Sequence, residues 1–69
     1  MFDLNHIFRY HPPVGAQLFQ YEAIRAAARQ FAEVVIANTP ESADQTAAVR
    51  KIREAAMTAN AAIALDGKL

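Results

Sequence analysis

The sequence predicts an all-α protein: an antiparallel two-helix hairpin with a short N-terminal helical arm, assembling as a compact helical homo-oligomer. Three observations predict it. Alanine, the best helix former, is unusually frequent in the 69 residues. Two long segments carry seam positions spaced alternately by four and three, the signature of helices that pack along one face. The chain has no cysteine, and below roughly 70–80 residues a single core rarely holds without disulfides, a metal or self-association. His6 and His11 are the only histidines. Five residues apart they do not share a helix face, so a structural zinc is not expected. Self-association is what remains. Alanine strengthens that inference, because a two-helix core built on so small a side chain gains little at about 25 cal/mol per Å2 of buried apolar surface.

The chain reads as a single domain, residues 1–69. Residues 1–13 form an arm. Phe2, Leu4, Ile7 and Phe8 are too apolar for a solvated tail, and Leu4, Ile7 and Phe8 fit one helical turn that Asp3 is placed to cap. This turn is expected to pack on the hairpin or on a neighbouring subunit. Tyr10-His11-Pro12-Pro13 breaks the helical pattern, since each proline pushes the residue before it toward an extended conformation.

The first long helix is predicted over residues 16–37. Its seam is Gln17, Tyr21, Ile24, Ala28, Phe31 and Val35, and a weaker second stripe holds Phe19, Ala23, Ala27 and Val34. Two apolar stripes on one helix require two partners, the second being another subunit. Residues 38–42 are the turn. Thr39 before Pro40 suits an N-cap with proline at the first helical position, and Ser42 with Gln45 suits a capping box. The second helix is predicted over residues 42–65, with the seam Gln45, Val49, Ile52, Ala56, Ala59 and Ile63. Gly67 suits the left-handed closing position after it. Seams of matching length joined by a short turn give an antiparallel hairpin.

Composition excludes several functions. Seven basic side chains balance seven acidic ones, which argues against a nucleic-acid polymer as partner. No apolar run approaches the about eighteen residues of a membrane span, and the N-terminus lacks the pattern of a signal peptide. No catalytic residues are assigned. The serines and threonines have no histidine at a suggestive spacing, and Glu41, Asp44 and Glu54 sit where carboxylates normally face solvent or complement a helix dipole. The seams offer no inward carboxylate and histidine set for a metal, and no cofactor is expected.

The basic residues are the informative ones. Arg25 and Arg29 are four apart and share a face of the first long helix. Arg50, Lys51 and Arg53 cluster on the second. They form either a solvated face or an anion site, in which arginine forks suit phosphate and a ring such as Tyr10 suits a base. On a neutral chain, a local cluster fits a small phosphorylated ligand better than a polymer. Tyr10 and His11 either pin the arm or present a ring and a polar edge to a ligand. Asn60, set among alanines one turn after Met57, either fixes register by an inter-helix hydrogen bond or contacts a ligand.

Three stretches in order carry a resemblance. Tyr10-His11-Pro12-Pro13, followed by Gln20-Tyr21-Glu22-Ala23-Ile24-Arg25, comes first. The turn Pro40-Glu41-Ser42 is next, and Glu54-Ala55-Ala56-Met57-Thr58-Ala59-Asn60-Ala61-Ala62-Ile63-Ala64 is last. Together they resemble the phage anti-CBASS sponge family, whose hairpin domain is shared with the Thoeris anti-defence sponges. The resemblance covers nearly the whole chain. It implies a non-enzymatic, phage-encoded homohexamer, at work in the cytoplasm of the infected bacterial host. Such a protein sequesters cyclic dinucleotides, among them cyclic GMP–AMP, and cyclic trinucleotides, without degrading them. The ligand is held at subunit interfaces. By the same resemblance Tyr10 stacks on a base, with His11 and Pro12 beside it. Arg25 contacts phosphate, and Arg29, Lys51 and Arg53 are further ligand candidates, for this site or a second one. Where this chain has Thr58 the family often has tryptophan, which alters packing near the chain end. The Thoeris-type members carry structure beyond the hairpin, so the expectation here is the anti-CBASS branch. The competing reading is a structural or adaptor hairpin that binds a protein partner.

Overall fold

The computed structural model of the chain describes residues 3–10 and 12–66. Phe2, His11 and Gly67, to which the sequence assigns roles, lie outside them. The described residues form three helices: α1, Leu4–Phe8; α2, Gln17–Asn38; and α3, Ala43–Ala64. α2 and α3 lie against each other as the predicted antiparallel hairpin, and α1 is the short arm. Each long helix has 22 residues, about 33 Å at 1.5 Å per residue.

The turn between them is built from side-chain hydrogen bonds. Ser42 is the N-cap of α3, extended at φ −168° and ψ 170°, and its Oγ accepts from the Gln45 N–H at 3.1 Å. Of the two starts read from the sequence, the Ser42 one is found. Thr39 instead closes α2 as its C-cap, and its hydroxyl donates to the Val35 carbonyl at 2.6 Å. The capping box is not reciprocal. Gln45 Nε2 reaches past Ser42 to the Thr39 carbonyl at 3.2 Å and the Thr39 hydroxyl at 3.1 Å, so one glutamine ties the end of α2 to the start of α3. Ser42→Ala removes the cap and is expected to lower stability by about 1 kcal/mol, measured as a fall in thermal midpoint at fixed protein concentration.

At its other end α3 closes with Asp66 at φ +54°. Asp66 is itself left-handed, directly before Gly67, whose expected closing role lies outside the described residues. Aspartate is among the few L residues that visit this region readily. The arm meets α3 at this end. Asp3 caps α1 by accepting from the His6 N–H at 3.2 Å. The His6 Nε2 donates to the Leu65 carbonyl at 3.1 Å. Gln17 makes a second clasp: its Oε1 accepts from the Val14 N–H at 3.1 Å and its Nε2 donates to the Ile63 carbonyl at 3.2 Å. Last-turn carbonyls run short of intrahelical partners: here the arm supplies a donor to the Leu65 carbonyl, and the linker adds a second donor to the Ile63 carbonyl, which also accepts the Asp66 N–H at 3.1 Å. Gly15, at φ +51°, makes the left-handed step that lets the linker enter α2.

The seams meet, but they do not make a core. Gln17, Tyr21, Ile24, Ala28 and Val35 on α2, and Gln45, Val49, Ile52, Ala56, Ala59 and Ile63 on α3, are all half-buried. Among the described residues only Leu65 is buried. Phe31, placed in the seam by its spacing, is 59% exposed. Its neighbours across the groove include Ala48 and Ala55, side chains too short to cover a ring. The second stripe stays open to solvent throughout, Phe19 most of all. The molecule measures 43 × 27 × 15 Å, and its thickness is close to one helix with side chains, about 10–12 Å. One layer cannot enclose an interior. Its accessible surface is 5776 Å2, against about 4,300 Å2 for a compact monomer of this mass.

Candidate functional site

Two grooves flank the line where α2 meets α3, sharing Ala28, Ile52 and Ala56 as floor. The larger, 590 Å3, is apolar except for Lys51 at its edge, with Ile24, Phe31 and Val35 along the α2 side. The smaller, 310 Å3, is basic. Arg25 and Arg29 reach it from α2, Arg53 from α3, and Met57 and Asn60 close the α3 side.

Helical geometry decides which cations gather. Arg25 and Arg29 are one turn apart and stay together. Lys51 and Arg53 are two apart, which turns them about 200° from each other on the helix. Arg53 enters the basic groove and Lys51 the apolar one. The cluster read along α3 is therefore split, and Lys51 does not join the arginines. Within the basic groove, Arg29 Nε pairs with Glu33 Oε1 at 3.0 Å, both side chains being largely exposed. Such a pair contributes only about 0.3 kcal/mol. Arg25 and Arg53 make no ion pair among the described residues. The groove thus holds three guanidinium groups on a chain whose formal net charge is zero. Guanidinium forks match phosphate oxygens in two parallel hydrogen bonds.

Tyr10 and Pro12 lie elsewhere, both exposed on the linker between α1 and α2, Tyr10 at 79%. Neither lines a groove. His11 lies outside the described residues. One chain thus presents its ring and its phosphate-type cations on separate surfaces. Asn60 sits at the basic groove, yet its Oδ1 is buried with no hydrogen-bond partner, so the inter-helix bond read for it is absent. Its proximity to the arginines was open to the sequence, because Asn60 follows Arg53 by seven residues, two helical turns. Among the described residues no cluster of His, Asp or Glu forms a metal cage, and no helix is long and apolar enough to cross a membrane.

A family sequence model, described as the hairpin domain of Acb2/Tad1, matches residues 3–64, which is α1, α2, the turn and α3 to its last residue. The chain belongs to the Acb2/Tad1 hairpin family. That family is one of anti-defence sponges of phage, acting by binding cyclic nucleotides, and its hairpin is a binding domain. The match runs through Tyr10, Arg25, Arg29 and Arg53 alike. No curated protein and no solved structure matched the chain.

Proposed function

We propose that this Acb2/Tad1 hairpin protein is an anti-CBASS sponge, which sequesters cyclic di- and trinucleotide messengers, cyclic GMP–AMP among them, without degrading them. It acts as a homo-oligomer, a hexamer by analogy with its family, in the cytoplasm of the infected bacterial host. The family match over residues 3–64 carries the reading. The basic groove supports it with a phosphate-type site that net charge alone conceals.

The surfaces of one chain support the oligomer. A layer one helix thick, with Phe19 75% and Phe31 59% exposed, lacks the covering layer that a stable domain requires. A ligand pocket runs about 300–1,000 Å3. At 310 Å3, the basic groove suits part of a cyclic dinucleotide and leaves the rest to a second surface. In this reading Tyr10 of a neighbouring copy supplies the ring, which places the ligand at a subunit interface. Capture is stoichiometric and needs a dissociation constant near nanomolar, about −12 kcal/mol.

Native mass spectrometry of the purified protein with cyclic GMP–AMP, cyclic diadenylate, cyclic diguanylate and cyclic triadenylate tests this. A bound oligomer that releases intact nucleotide on denaturation is the expected result. An oligomer that binds none of them returns the chain to the adaptor reading, and linear product overturns the non-enzymatic one. Tyr10→Ala is expected to weaken binding by about tenfold or more, the loss of one base–ring stack, with the mass of the assembly unchanged. Calorimetry showing equal affinity places the ring outside the site.

A further inference from the structure

The linker that bears Tyr10 is held at both ends to the same place. On its N-terminal side, His6 Nε2 donates to the Leu65 carbonyl at 3.1 Å. On its C-terminal side, Gln17 Nε2 donates to the Ile63 carbonyl at 3.2 Å, while Gln17 Oε1 receives the Val14 N–H at 3.1 Å and the Gln17 N–H returns to the Val14 carbonyl at 3.0 Å. Both acceptors belong to the last turn of α3 or its cap; the Ile63 carbonyl also accepts the Asp66 N–H at 3.1 Å and offers Gln17 its second lone pair. Tyr10 itself is 79% exposed. Its direction is therefore set by backbone anchorage rather than by packing of its ring.

Gln17 is the joint of this arrangement. It opens the α2 seam by spacing, yet both ends of its amide are spent on hydrogen bonds, one to the linker and one to α3. Glutamine supplies an acceptor and a donor from one planar group, which neither an aliphatic side chain nor a carboxylate does. A glutamate in its place keeps the acceptor for Val14 and loses the donor to Ile63. It also sets a negative charge against the negative end of the α3 dipole.

We infer that Gln17 is a positioning residue for ligand capture, holding the Tyr10 linker against the end of α3 so that the ring is presented before ligand arrives. This rests on the proposed role of Tyr10. A segment ordered in advance loses less conformational freedom on binding, and the saving appears as affinity. Removing the clasp makes the linker mobile and weakens capture without touching the ligand.

The test has a ligand-free arm and a ligand arm. In the first, 15N relaxation reads the Tyr10 backbone amide. The expected order parameter is about 0.8 in the parent chain and falls below about 0.6 in Gln17→Leu and Gln17→Glu. Gln17→Glu retains the Val14 bond and guards against a variant that merely misfolds, and circular dichroism shows whether α2 and α3 persist. A Tyr10 amide already mobile in the parent, or unmoved in both variants, overturns the inference. In the second arm, titration with cyclic GMP–AMP and cyclic diadenylate is expected to show about tenfold weaker binding for Gln17→Leu. That loss disappears when Tyr10→Ala is already present, since coupled residues are not additive. An equal loss in the Tyr10→Ala background assigns Gln17 to general stability and overturns the positioning role. Absence of binding by the parent chain removes the proposed function and this inference with it. A failed coupling with binding intact removes the inference alone.

Discussion

Arg25→Glu is expected to lose about a hundredfold or more in affinity for a cyclic dinucleotide while the assembly keeps its mass. The residue is exposed, lines the basic groove beside Arg29 and Arg53, and makes no ion pair among the described residues. A charge-assisted hydrogen bond contributes about 1.5–3 kcal/mol, and each 1.4 kcal/mol is a factor of ten. Reversal adds repulsion between a carboxylate and the phosphate that the arginine faced. Arg53→Glu, approaching from α3, is expected to behave alike. Lys51→Glu is expected to change affinity little, because Lys51 edges the other groove. Isothermal titration of the three variants decides it. Comparable losses for Lys51→Glu and Arg53→Glu indicate long-range electrostatics instead of a defined site, and then the losses fade together with added salt.

The second large effect concerns stability. Ile52 is the one long aliphatic side chain that borders both grooves, at the centre of the contact between α2 and α3. Its neighbours across and along the seam include Ala28 and Ala56, which cannot extend to fill a gap. Ile52→Ala is expected to cost about 2 kcal/mol, the lower part of the range for such truncations because the residue is half-buried. In a domain of this size, that lowers the thermal midpoint on the order of 10 °C. Scanning calorimetry at matched protein concentration measures it. A midpoint within a degree or two of the parent shows that the stability resides in contacts other than the seam.

The two long helices were legible because their seams are periodic over six positions each and their ends carry caps. Ser42 with Gln45, and Asp3 before Leu4, act locally, and local chemistry is what a sequence displays. Three readings fell short for physical reasons. Lys51 and Arg53 are neighbours in sequence but point apart on a helix, so a cluster along the chain is not a cluster in space. Phe31 keeps seam spacing, but its alanine neighbours across the groove are too short to bury it, and spacing says nothing about reach. Gln17 and Gln45 open their seams as if they were packing positions. Each instead spends its amide on backbone, Gln17 between the linker at Val14 and the far end of α3 at Ile63, and Gln45 on Thr39 six residues back in the turn. Of the candidate site, the arginine pair on α2 was readable from a spacing of four. The union of Arg25 with Arg53 needed the register of the hairpin. The meeting of Tyr10 with those arginines across two chains is part of the proposal, read from family and surface.

The clasp between arm and hairpin also sets an order of events in time. The turn bonds join residues at most six apart in sequence, while the His6 bond to Leu65 spans fifty-nine. Short loops close early and long ones late. The chain therefore zips outward from Ser42 and Gln45, and the arm arrives last. The same ladder run backwards makes the arm the first part to open in slow local unfolding, an event apart from the fast motions that the clasp restrains at Tyr10.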